Sequence, residues 1–158
     1  YEDNLDLGES CPRTRFRQLL SRIGLCNAHL GVIRRDVMKR TGLIGSERCS
    51  DVHFLAELSL YGKFAVVPEY LFSRRFHEAS SSWNRSSRER QRLYYEPTRK
   101  TASGMHTWRK YRHLIGGVWH APIEVRSKVA LTAGLLRNSL WEREALGAEI
   151  VSLVASRQ

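Results

Sequence analysis

Two neighbouring stretches decide the fold reading: HLGVIRRDVMKRTGLIG at residues 29–45 and SDVHFLAELSLYGKFAVVPEYLFSRRFHEASS at residues 50–81. In the first, Leu30, Val32 and Ile33 around Gly31 form a β-rich pattern that predicts a strand over 29–34. A single helical turn over 36–40 follows, closed by Thr41 and Gly42. In the second, Ser50 suits an N-cap and Asp51 sits where a carboxylate favours the positive end of a helix. Phe54, Leu55, Leu58 and Tyr61 then make an apolar face that stops at Gly62. Residues 63–67 are β-rich again, Pro68 interrupts them, and 70–76 runs apolar before giving way to arginine, which predicts two further short strands.

Helical spacing dominates outside this region. Upstream, Phe16, Leu19, Leu20 and Ile23 recur at that spacing from Thr14 on, with Arg15, Arg17 and Arg22 between them and Gly24 as the stop. Downstream, the serine-rich run 80–87 reads as a loop, one of its serines opening a helix over 88–95 before Pro97. The pattern returns over 107–119 and over 124–155, with Pro122 as the break and Asn138 or Gly147 as candidate interruptions.

With 158 residues, 42% hydrophobic and 27% charged, the chain can bury a core and does not have the composition of a disordered protein. No apolar run approaches the roughly 20 residues that span a bilayer, and the first residues lack the build of a signal peptide. The start at Tyr1 within an acidic, loop-like run leads to the expectation that a further segment precedes it. Three cysteines, Cys11, Cys26 and Cys49, form no C-x-x-C pair, which argues against a disulfide framework or zinc ribbon and fits a reducing cytosol. The net charge of +10, from 26 Lys and Arg against 16 Asp and Glu, suits nucleic acid, anionic lipid or a phosphorylated small molecule. Charge alone does not choose among them, although the arginine fork matches phosphate oxygens.

Taken in order, the G-x-x-R segment at 31–34, the acidic residue opening a helix at Asp51, Gly62, the VPE at 67–69 and the R-x-x-H at 74–77 resemble the second half of family 2 glycosyltransferases. The resemblance covers about a third of the chain, and the arginine-rich helical tail is also similar to bacterial members. It implies an α/β fold, part of a GT-A domain with a few short strands and a mainly helical C-terminal region. The corresponding division is 1–97 for the acceptor-side part and 98–158 for a helical extension.

The resemblance also implies an inverting transfer, in which an acceptor hydroxyl attacks the anomeric carbon of a nucleotide-sugar opposite the departing diphosphate. Such chemistry needs a base, positive charge for the leaving group and a scaffold holding the substrates in line. By position Asp51 is the base, although Ser50 stands where the family often has a first carboxylate. Arg74, Arg75 and His77 match the cluster that closes over the diphosphate or its divalent ion, Mg²⁺ or Mn²⁺, with His77 as the metal ligand. Trp83 suits packing against an acceptor sugar, and Arg34 adds charge near the site. The sequence contains no D-x-D, so the resemblance assigns the donor's metal-holding carboxylates to the expected preceding segment, and the chain alone is expected to bind donor weakly and to be inactive. The implied partners are a nucleotide-sugar donor and a saccharide or lipid-linked acceptor. The implied location is cytoplasmic, with peripheral contact at the inner membrane face.

Two other readings compete. The arginine-rich helices at 85–92 and 109–113 suggest a basic nucleic-acid-binding module, but the arginines are scattered and no recognised nucleic-acid motif is present, so no nucleic acid is expected as a partner. The face formed by Trp108, Tyr111, Leu114, Ile115, Val118 and Trp119 beside Arg109, Lys110 and Arg112 suits either a lipid or subunit surface or docking on the core; docking is the preferred reading.

Overall fold

The computed structural model describes residues 5–75 and 105–155. These contain six α-helices: α1 (Pro12–Arg22), α2 (Arg35–Met38), α3 (Ser50–Tyr61), α4 (His106–His120), α5 (Val125–Trp141) and α6 (Arg143–Ala155). A 3₁₀ turn, Asn27–Leu30, follows α1.

Helix α3 is the centre of the bundle. Phe54, Leu55, Ala56, Leu58, Ser59 and Leu60 are all buried, so it is apolar nearly all round, as a helix with neighbours on more than one side must be. Its flanking helices are α1, which buries Phe16 and Leu19, and α4, which buries Tyr111, Leu114 and Val118. Leu131 and Leu135 of α5 complete the same core. Each such side chain contributes about 1.5–3 kcal/mol on full burial. Close approach of α3 and α4 uses Gly117, where an added Cβ would stand 3.4 Å from Cγ of Glu57. Glu57 in turn accepts the Gly42 N–H at 2.9 Å, tying the loop before α3 to the bundle.

The helical expectations over 14–23, 36–40, 51–61 and 107–119 correspond to α1, α2, α3 and α4, and residues 121–124 around Pro122 separate α4 from α5. Proline also starts α1, at Pro12, where its missing N–H costs no hydrogen bond. The last helical stretch breaks at Glu142 rather than at Asn138 or Gly147. There Lys110 of α4 holds the Glu142 carboxylate at 2.6 Å, and the turn sends α6 back along α4.

The α/β GT-A expectation is overturned: the chain is mostly helical and its described residues contain no sheet. Their one β contact is an isolated antiparallel bridge between Leu7 and Phe64, with N–H···O distances of 3.0 and 3.4 Å. Residues expected as the 29–34 strand instead form the end of the 3₁₀ turn and the lead into α2, with Val32 fully exposed. Residues 65–75 adopt neither helix nor strand, and Val66, Val67, Tyr70, Leu71 and Phe72 are exposed. β-rich composition alone does not make a strand, because a strand is stable only when a neighbour completes its ladder. Beyond Leu7 no described segment does so. The helix expected over 88–95 and the 97/98 boundary lie outside the described residues; on either side of that boundary, α3 and α4 share one core.

The apolar face of α4 is docked. Tyr111, Leu114 and Val118 point into the core, while Trp108 and Trp119, half exposed, anchor their indole N–H groups on the Leu146 carbonyl and on Thr132 Oγ1, both at 3.1 Å. Among the described residues no helix is long and apolar enough to cross a membrane.

Candidate functional site

The 3₁₀ turn and the start of α3 meet in one place. Cys26, directly before the turn, is buried and takes a left-handed conformation (φ 62°, ψ 29°) that non-glycine residues adopt rarely. Cys49, directly before α3, does the same at φ 63°. Such backbone persists only where surrounding contacts over-determine it, and it concentrates near functional positions. Ser50 is therefore the first residue of α3 and not its cap; its hydroxyl donates to the Gly45 carbonyl at 2.7 Å.

Asp51, in the first turn of α3, is half-buried, and its Oδ1 accepts the Val52 N–H at 2.9 Å. It faces the preceding turn. One ligand atom each of Cys26, His29 and Asp51 lies within 4.8 Å of the others. His29 is held by a short hydrogen bond between its Nδ1 and the Cys26 carbonyl. Arg74 reaches the same turn from the far end of the exposed 65–75 segment, donating to the Leu25 carbonyl at 3.1 Å and to Asn27 Oδ1 at 2.7 Å.

A second polar cluster lies on the side of α3 that meets α4. His53 stacks on His113 with ring centroids 5.5 Å apart and an interplanar angle of 11°. His113 Nε2 stands 2.8 Å from Glu47 Oε1. Burial, and after it the neighbouring His113, push the His53 pKa down to about 4, so the ring is neutral near pH 7. Its Nδ1 is buried without a hydrogen-bond partner. A neutral ring on a helix–helix contact is a packing residue with one unsatisfied nitrogen.

Of the residues singled out in the sequence, Asp51 and Arg74 come together through residues 25–29. Arg75 is exposed, as is Arg34 directly before α2. His77 and Trp83 lie outside the described residues. Sequence reasoning missed Cys26, Glu47 and His113. A lone cysteine 25 positions before Asp51 carries no spacing signal, and only the fold brings the two together.

The Mg²⁺ or Mn²⁺ implied by the family resemblance prefers oxygen ligands. Among the described residues, the close ligand group is the thiol, imidazole and carboxylate of Cys26, His29 and Asp51, which does not fit such an ion. No protein-family model, curated protein or solved structure matches this chain.

Proposed function

We propose that this chain is the acceptor-side part of an inverting glycosyltransferase, which moves a sugar from a nucleotide-diphospho-sugar to a hydroxyl of a saccharide or lipid-linked acceptor. Asp51 is its general base. The observation that carries the reading is the convergence of Asp51 and Arg74, two residues chosen from sequence, on the single turn at 25–29. A base must be fixed yet reachable. Asp51 meets this with one oxygen held by the Val52 N–H and a side chain that stays partly open to solvent.

In the proposed step the acceptor oxygen attacks the anomeric carbon while its proton passes to Asp51. The anomeric C–O bond to the diphosphate breaks on the opposite face, and the nucleoside diphosphate departs with the electron pair. Asp51 then returns its proton to solvent. On this reading the donor-holding residues lie outside these 158 residues, and the protein works in the cytoplasm, at or near the inner membrane face.

The test is Asp51→Asn in the complete polypeptide, assayed for nucleoside diphosphate release with acceptor present. Turnover is expected to fall about 10²-fold to 10⁴-fold. Donor affinity and melting temperature should change little. A folded variant with near-normal turnover removes Asp51 as base and takes the proposal with it.

A further inference from the structure

The chemistry of the Cys26, His29 and Asp51 cluster points beyond a carboxylate base. We infer that these three side chains form a binding site for a soft divalent cation of the Zn²⁺ class. A thiolate, an imidazole and a carboxylate are the ligand types zinc takes, and three protein ligands leave a fourth position for water. Zn–S, Zn–N and Zn–O bonds of about 2.0–2.3 Å place tetrahedral ligand atoms about 3.3–3.8 Å apart. The three ligand atoms already lie within 4.8 Å of one another, so side-chain rotation of about 1 Å closes the set.

The surroundings are those of a built site. Metal-binding histidines commonly give their other ring nitrogen to a carbonyl, which fixes the tautomer and directs the free lone pair at the ion. His29 has the first half of this arrangement, its Nδ1 bonded to the Cys26 carbonyl, and in the inferred site Nε2 is the nitrogen that takes the ion. Asp51 is likewise oriented by a backbone N–H, leaving its second oxygen for the ion. Arg74 holds both neighbours of Cys26, through the Leu25 carbonyl and the Asn27 side chain. The left-handed backbone at Cys26 is then the conformation that turns the thiol toward His29 and Asp51.

A cation seated here occupies the lone pair that Asp51 needs as a base. Where the proposed transferase reading holds, zinc is therefore an inhibitor and its removal an activator. Binding itself does not depend on that reading.

Co²⁺ is the probe, because four-coordinate thiolate cobalt has intense visible bands and a sulfur-to-metal charge-transfer band. The 158-residue chain should bind one Co²⁺, show both features and lose them on Zn²⁺ addition. The spectrum should survive Cys11→Ser with Cys49→Ser, the two exposed cysteines, and lose its charge-transfer band in Cys26→Ser. Should Cys26→Ser fail to fold, His29→Gln and Asp51→Asn decide the matter, each lowering Co²⁺ affinity about tenfold or more. A wild-type chain without the charge-transfer band, a band kept in Cys26→Ser, or unchanged affinity in both His29→Gln and Asp51→Asn overturns the site. In the complete enzyme Zn²⁺ should slow turnover in step with occupancy, and Cys26→Ser should relieve it. Spectroscopic binding without inhibition leaves the metal site standing and counts against Asp51 as base.

Discussion

Arg74 Nη1 donates to Asn27 Oδ1 at 2.7 Å, a contact that spans 47 positions in sequence. With its second bond to the Leu25 carbonyl, the guanidinium fixes the turn that carries Cys26 and His29. Arg74→Leu should therefore loosen residues 25–30, at a cost of about 1.5 kcal/mol for a charge-assisted bond. Amide hydrogen exchange is expected to speed up there and to stay unchanged in α1. Arg74→Lys should restore only part of the protection, since both bonds come from Nη1, whose two hydrogens are fixed in the guanidinium plane, whereas an ammonium is a freely rotating point charge on a shorter stem. Unchanged exchange in Arg74→Leu would show that the turn is held by other contacts.

Arg15 is 4% exposed, and its hydrogen bonds go to backbone carbonyls: Nε to Ser59 at 2.8 Å and Nη1 to Glu9 and Ser10 at 2.7 and 2.9 Å. Burial lowers its pKa, yet a guanidinium remains charged throughout the working range. One side chain thus joins the segment before α1 to the end of α3. Lysine cannot reach three acceptors from that position, so Arg15→Lys leaves a buried ammonium and should lose about 2–3 kcal/mol in urea unfolding. Arg15→Met carries no charge inward and should lose less, though three carbonyls go without a donor. A lysine variant as stable as wild type would contradict this role.

Much of the helical layout was legible because it is local. Phe16, Leu19, Phe54, Leu55, Leu58, Leu114 and Val118 keep the helical period, and Pro122 marks the break by its chemistry. The strands were misjudged for the opposite reason. Val32 and Val66 have β-forming side chains, but whether a ladder forms depends on distant partners that composition does not reveal, and among the described residues of those expected strands only Phe64 finds one. In sequence Arg15 is one of three arginines between the apolar positions of 14–23, and nothing there marks it as buried, because its three carbonyl partners lie outside its own helix. Asp51 stood out through its place at a helix start, a local feature. Cys26 and His113 join its surroundings only through tertiary contacts, which leave no periodic trace in the sequence.

Tyr111 gives a pH dependence with a definite sign. Burial, and after it the nearby Glu142 carboxylate that accepts its hydrogen bond, push its phenol pKa up to about 12 from 10. The phenol is neutral in the fold and ionises more easily once unfolded, so its contribution is complete below pH 10 and is lost as pH rises from 10 through 12. Stability measured over that interval should fall more steeply in the wild type than in Tyr111→Phe. Tyr111→Phe keeps the ring that Lys110 faces, its ammonium 5.0 Å from the ring centre, so the paired comparison isolates the hydroxyl. Parallel curves for the two proteins would mean that Tyr111 ionises no harder in the fold than in the unfolded chain.

Glu149 supplies the cap that α4 lacks in its own sequence. Met105, at the N-cap of α4, offers no side-chain acceptor. Instead the Glu149 carboxylate, 42 positions away, accepts Thr107 N–H and Thr107 Oγ1–H, each at 2.8 Å, and Trp108 N–H at 3.3 Å. The same contact holds down α6, which buries no residue of its own. Glu149→Ala should lose about 1–2 kcal/mol, the worth of a cap together with a carboxylate at the positive end of a helix. Glu149→Gln keeps an acceptor oxygen and gives up the charge, so its loss should be smaller, about 0.5–1 kcal/mol. The charge-dependent part is screened by salt, so the gap between glutamate and glutamine should narrow at high ionic strength. Because little apolar area fixes α6, its amides in Glu149→Ala should exchange freely while those of α3 remain protected. Wild-type stability in Glu149→Ala, with α6 still protected, would show that α6 is held by its other contacts with α4 and α5 and that the cap is dispensable.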